Sequence, residues 1–152
     1  MRSRSHVSRT AAALSVAAVV VLGGCSRPPA ITAAPRADTD GCRAAAAAYP
    51  ASVSSMARVE GVTASATAAW GDPAVIARCG MPPLAPTEVE CVEVDGVGWI
   101  PQALSDGTRF TSFGTDPALE VLVPSRYAPE PLLLPAFSKA AKALPTNGLQ
   151  CR

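Results

Sequence analysis

The chain has 152 residues, enough for one domain of ordinary size plus a processed leader and too few for two domains. Apolar residues make up 49% and charged residues 16%, a globular composition, while 15 Pro and 11 Gly argue against a helical bundle because both residues interrupt helices. His6 is the only histidine, so a mature domain has none for a Ser-His-Asp triad, a Cys-His pair or a His-ligated metal.

Residues 1–24 have the layout of a lipoprotein signal peptide. Arg2, Arg4 and Arg9 give a positive start, followed by a small and apolar run from Ala11 to Leu22. As a helix that run would rise about 18 Å, short of the roughly 30 Å hydrocarbon core, which identifies an export core and not a permanent span. It ends in Leu22-Gly23-Gly24-Cys25, the pattern of a bacterial lipobox, in which Cys25 is diacylated and becomes the first mature residue. Two or three acyl chains, at about 0.8 kcal/mol per buried methylene, hold a protein stably at a membrane. Loss of the three leader arginines takes the net charge from +1 to −2. With no basic run left, nucleic acid is not an expected partner, nor is a polybasic contact with anionic lipid. Residues 25–40 read as a Pro-rich tether able to hold the domain up to ~45 Å from the membrane.

The domain itself is assigned to residues 41–152. Gly41 to Tyr49, with five consecutive alanines between Asp40 as N-cap and Pro50 as stop, predicts a short helix. Val62 to Ala69 alternates small apolar with Thr and Ser positions and predicts a half-buried strand. Trp70-Gly71-Asp72-Pro73 is a turn, and Ala74 to Arg78 a short strand. Asp95-Gly96 between Val92–Val94 and Val97–Ile100 is the strongest hairpin signal in the chain, since a type I′ turn needs positive φ at both central residues. Arg109 to Phe113 and Leu119 to Val123 add two strands, the second with Leu119, Val121 and Val123 on one face and Glu120 opposite. Pro135 to Leu144 predicts a closing helix with Phe137, Ala140, Ala141 and Leu144 inward. The resulting fold class is α+β: a mostly antiparallel sheet of five or six strands covered by N- and C-terminal helices, with two disulfides.

With Cys25 assigned to lipid, Cys42, Cys79, Cys91 and Cys151 remain, an even number in an exported chain. Sequence leaves three connectivities open; the pairing expected is Cys79–Cys91, closing a Pro-rich loop, with Cys42–Cys151 joining the domain ends. No close ligand spacing among them suggests a metal site, and no cofactor is expected. Glu88, Glu90, Glu93 and Asp95 form an acidic group, but strand alternation divides them between faces, so they read as a solvated edge. Ser138 and Lys139 are adjacent and point in different directions on a helix, which disfavours a Ser-Lys pair. Trp70, Asp72 and Trp99 sit at turns and are the candidate binding residues, although the size of the two indoles favours a place in the core and Asp72 reads most simply as a turn residue.

Trp70-Gly71-Asp72-Pro73, Arg78-Cys79-Gly80-Met81-Pro82, Val94-Asp95-Gly96-Val97 with Trp99, Phe110-Thr111-Ser112-Phe113-Gly114 with Pro117, and Glu120-Val121-Leu122-Val123-Pro124 together resemble an uncharacterised family of actinobacterial secreted proteins and lipoproteins. The resemblance covers roughly Cys42 to Cys151 and brings no catalytic residue; it implies a role in the cell envelope. The function expected is therefore a membrane-anchored, non-enzymatic binding or accessory module on the outer face of the cell membrane, with an envelope protein or cell-wall component as partner. The alternative is an extracytoplasmic hydrolase using carboxylates without histidine, which needs two acids about 5–10 Å apart around one cleft. Asp72, Asp95 and Glu93 are the acids that would have to meet there.

Overall fold

A computed structural model describes residues 28–151. The leader and Cys25 lie outside the described residues. Helix α1 (Asp40–Ala47) is followed by the short strands β1 (Ser52–Val53) and β2 (Met56–Ala57), then β3 (Thr67–Trp70), β4 (Val75–Met81), β5 (Val92–Val94), β6 (Val97–Ala103), β7 (Gly107–Phe113) and β8 (Ala118–Pro124), and finally α2 (Ser138–Lys142). The strands β1 and β2 pair only with each other, while the other six form one antiparallel sheet in the order β3-β4-β8-β7-β6-β5. The class is thus mostly antiparallel α+β, with two sheets instead of one.

Alternation within the strands sends Val75, Ala77 and Cys79 of β4, Phe110 of β7, and Leu119, Val121 and Val123 of β8 into a core shared with Trp70 and Trp99. Helix α1 closes that core with Cys42, Ala45 and, just beyond it, Tyr49; the C-terminal part closes it with Leu134, Phe137, Ala140, Ala141 and Leu144. Trp70 packs edge-on against both Tyr49 and Phe137, and its indole donates to Pro50 O at 3.0 Å. Both indoles are fully buried. The binding role considered for Trp70 and Trp99 is corrected accordingly: they are the largest pieces of the core.

Several sequence expectations shift. The closing helix is a 3-10 run over Glu130–Phe137 continued by the five-residue α2, because Pro131 and Pro135 cannot donate backbone hydrogen bonds. The cover over the sheet is therefore only partly helical in the α sense. Thr39, not Asp40, caps α1, its hydroxyl accepting from Cys42 N at 3.3 Å. The strand expected from Val62 begins only at Thr67, since Ala66 takes φ +47° and turns its carbonyl to Cys79 N and the Tyr49 hydroxyl. The Asp95-Gly96 hairpin forms as expected, with φ +52° and +74°.

The stretch read as a tether is largely folded. Ala34 and Ala37 are buried, Arg36 N donates to Gly80 O at 3.0 Å, and Arg36 pairs with Asp116. This arm crosses the sheet face opposite the helices, and it can do so because Gly80 is bare: a Cβ there would lie 2.4 Å from Ala37 N.

The cysteine pairing is also corrected. The bonds are Cys42–Cys79, with Cα atoms 5.3 Å apart, and Cys91–Cys151, at 5.6 Å. Cys79 points from β4 into the core, where α1 brings Cys42. Cys91 precedes β5, and three strands lie between β4 and β5, so about 19 Å separates Cys79 from Cys91, far beyond disulfide reach. Two disulfides point to an oxidising, extracytoplasmic environment. No helix among the described residues is long and apolar enough to cross a membrane.

Candidate binding groove on the open sheet face

The face of the six-stranded sheet away from the helices is built by register. Arg78, Glu120, Thr111 and Ile100 stand side by side on β4, β8, β7 and β6, and Ile76, Leu122, Arg109 and Gln102 form the next row. Glu120 is 1% exposed although it sits on the outward side of its strand. Two guanidinium groups cover it. Arg78 Nε donates to Oε1 at 2.5 Å, and Arg109 Nε lies 3.1 Å from Oε2 without hydrogen-bond alignment. Arg78 also donates to Thr32 O of the arm at 3.3 Å, and Arg109 to Gln102 Oε1 at 3.2 Å. The cluster ties the three central strands and the N-terminal arm to one carboxylate. Both guanidinium groups are engaged by the one buried carboxylate, which makes the cluster a lock for the sheet with one positive charge left over.

Beyond Ile100 the face opens into a groove of about 720 Å³. Ile100 and Phe113 line it together with the segment from Pro86 to Cys91 and the C-terminal segment from Gly148 to Cys151. Backbone bonds hold the C-terminal segment to the β7–β8 turn: Asp116 N donates to Pro145 O at 2.9 Å and Asn147 N to Gly114 O at 2.9 Å. The Cys91–Cys151 bond then fixes one segment to the other above Gly98, where a Cβ would come within 2.7 Å of the Cys151 sulfur. Glu88 and Glu90 are exposed on the rim, Val89 between them is 56% exposed, and no basic side chain is among the described lining residues. The groove is apolar beneath, negative at the edge and fixed by a covalent bond. That combination suits a ligand carrying positive charge next to an apolar portion.

A second, shallower concavity of about 660 Å³ lies on the helix side, lined by Asp95, Ser138, Lys139 and Lys142 among others. The Ser138 hydroxyl donates to Asp95 Oδ2 at 2.9 Å, joining the hairpin turn to α2. Ser138 is buried while Lys139 is exposed, as their adjacency on a helix requires. Of the four acids, Glu88 and Glu90 line the groove, Glu93 stands opposite Gly98 on the same open face, and Asp95 is bound to Ser138, so the expected grouping of Glu93 with Asp95 does not hold.

Asp72 is exposed in the turn between β3 and β4, and Asp95 lies in the turn between β5 and β6. β4 and β6 run in opposite directions and are three spacings apart, so these turns occupy opposite corners of the sheet. The cleft that the hydrolase alternative would build from Asp72, Asp95 and Glu93 does not form. Among the described residues no group of three or more His, Cys, Asp or Glu is gathered to hold a metal ion. The buried indole N–H of Trp99 has no protein partner.

Sequence reasoning did not single out Arg78, Arg109, Ile100 or Phe113 as site residues. A signal existed in that Arg78 and Glu120 each alternate with buried apolar residues, but their meeting depends on β4 lying beside β8.

Taken together, a disulfide-stapled antiparallel sheet with one face packed and one face grooved defines a small extracytoplasmic-type α+β domain. The chain belongs to the family described as "Protein of unknown function (DUF3515)", whose profile matches residues 9–148. No curated protein and no solved structure matches it.

Proposed function

We propose that this protein is a membrane-anchored lipoprotein whose domain is a non-enzymatic binding module of the cell envelope, taking a cationic, partly apolar segment of an envelope protein or cell-wall component into the groove beside Ile100. Anchoring is inferred from Leu22-Gly23-Gly24-Cys25 after a short apolar run. The observation that carries the binding role is the groove's construction. Its two walls come from distant parts of the chain and are bonded to each other by Cys91–Cys151, which keeps the cavity open without a ligand.

The test is a photo-crosslinking amino acid at position 89 in cells expressing the full chain. A discrete adduct is expected, and it should disappear in a Glu88→Lys/Glu90→Lys variant that melts at the parental temperature. An adduct indifferent to that charge reversal, or none at all, rejects the groove as the site. Cys25→Ser should separately release the protein from membranes or leave it as an uncleaved precursor, read by detergent partitioning and intact mass.

A further inference from the structure

We propose that the β3 edge of the domain rests on the lipid headgroup layer, so that the groove lies toward the far end of the sheet, clear of the membrane, and takes its ligand from the aqueous side. This rests on lipidation of Cys25. Three residue steps separate Cys25 from Pro28, a span of at most about 11 Å. From Pro28 onward the chain has little slack. The Pro28 ring lies against Gly61, where a Cβ would meet its Cγ at 3.3 Å; Thr32 O accepts from Arg78; and Arg36 N is bound to Gly80 O. The 45 Å stalk suggested by composition is thereby reduced to a short link, and whatever surrounds Pro28 lies close to the lipid.

What surrounds Pro28 is the outer margin of β3. Val59 N donates to Ala69 O at 2.8 Å, which places the segment leading to Gly61 alongside that strand. This margin carries Arg58, which bridges Trp70 of β3, beside Glu60 and Asp38, the latter accepting a hydrogen bond from Ser65. With one positive charge against two negative ones, it can approach an anionic headgroup layer with little repulsion. β3 is one end of the sheet, and β6, which supplies Ile100 to the groove, is four spacings away, about 19 Å. A domain lying with its open face down would instead press Glu88 and Glu90 against anionic lipid. Its two nearby arginines share the single carboxylate of Glu120, and the one positive charge left over offsets only part of the two negative charges of Glu88 and Glu90.

The experiment uses the full-length acylated protein in vesicles of phosphatidylethanolamine and phosphatidylglycerol carrying a headgroup-attached quencher. A fluorescent amino acid is placed at position 60 in one variant and at position 89 in another. Quenching at 60 should exceed quenching at 89 severalfold. A flexible 20-residue Gly-Ser insertion between Arg27 and Pro28, with a reach of roughly 25 Å, should abolish the difference. Intact mass reports acylation independently. An acylated protein quenched equally at both positions, or more at 89, overturns the orientation alone; a protein without acyl chains overturns the anchor and the orientation with it.

Discussion

Glu120 shows how a residue's role can depend on strands it does not belong to. Its outward position on β8 is legible in the alternation of Leu119, Val121 and Val123. Its burial is not, because Arg78 and Arg109 arrive from β4 and β7 only once the sheet has formed. Removing either arginine leaves a buried carboxylate with one partner instead of two. Arg78→Met should cost about 2 kcal/mol, below the roughly 3–5 kcal/mol for a buried charge stripped of its sole partner. Arg109→Met should cost less, since its contact is longer and its side chain more exposed, 33% against 22%. Denaturant midpoints of the two variants check the order. Tyr49 provides a pH signature. Burial pushes its phenol well above the ordinary value of 10.0, and the Arg58 charge offsets this only in part. Above about pH 10 the unfolded state therefore loses a proton that the folded state keeps, and stability should fall by about 1.4 kcal/mol per pH unit. Tyr49→Phe should remove that component of the alkaline decline in a stability–pH curve, at a cost of about 1 kcal/mol at neutral pH for the lost bond to Ala66.

Among elements, those governed by neighbouring residues were the most legible. The Asp95-Gly96 hairpin needs two positive φ angles within four residues, and the sequence carries that requirement on its surface. The N-terminal arm is the opposite case. Three prolines and no periodicity make residues 25–40 look like a spacer, and the bare backbone of Gly80, on another element, explains how the described part from Pro28 onward packs. The two glycines should therefore respond differently to the same change. At Gly96 a Cβ meets nothing within 4 Å, so Gly96→Ala should cost about 1 kcal/mol of backbone strain and expose no new protease site. At Gly80, with φ +113° and Ala37 N in the way, Gly80→Ala should displace the arm and make the Arg36 peptide bond sensitive to trypsin. Limited proteolysis followed by mass spectrometry separates the two outcomes.

For the whole molecule, strand order was the quantity hidden from the sequence. Consecutive strands suggest a meander, and β5 to β8 form one. β4, however, pairs with β8 and not with β5, which puts the chain's two halves together at the centre of the sheet. The failed expectation for Cys79 and Cys91 follows directly, because closeness in sequence was taken for closeness in space. The two bonds should also differ in what they hold. Each closes a loop large enough for about 4 kcal/mol of chain-entropy stabilisation. Cys42–Cys79 lies in the core, whereas Cys91–Cys151 ties down a segment at the rim. A Cys91→Ser/Cys151→Ser variant should keep slow hydrogen exchange in β4, β7 and β8 while residues 86–91 and 145–151 exchange rapidly. Uniformly faster exchange would show that the groove and the core unfold as one unit.

The observed connectivity joins the first domain cysteine to the second and the third to the fourth. A chain exported with its N-terminus leading presents those thiols in the same order. When Cys79 emerges, Cys42 is already outside, and that bond can close before Cys91 and Cys151 are both available. The second pair then forms from the two domain thiols that remain, Cys91 and Cys151. An oxidase acting during such an export would reach the native domain bonds by always pairing the nearest free predecessor in the domain, with no rearrangement step to follow.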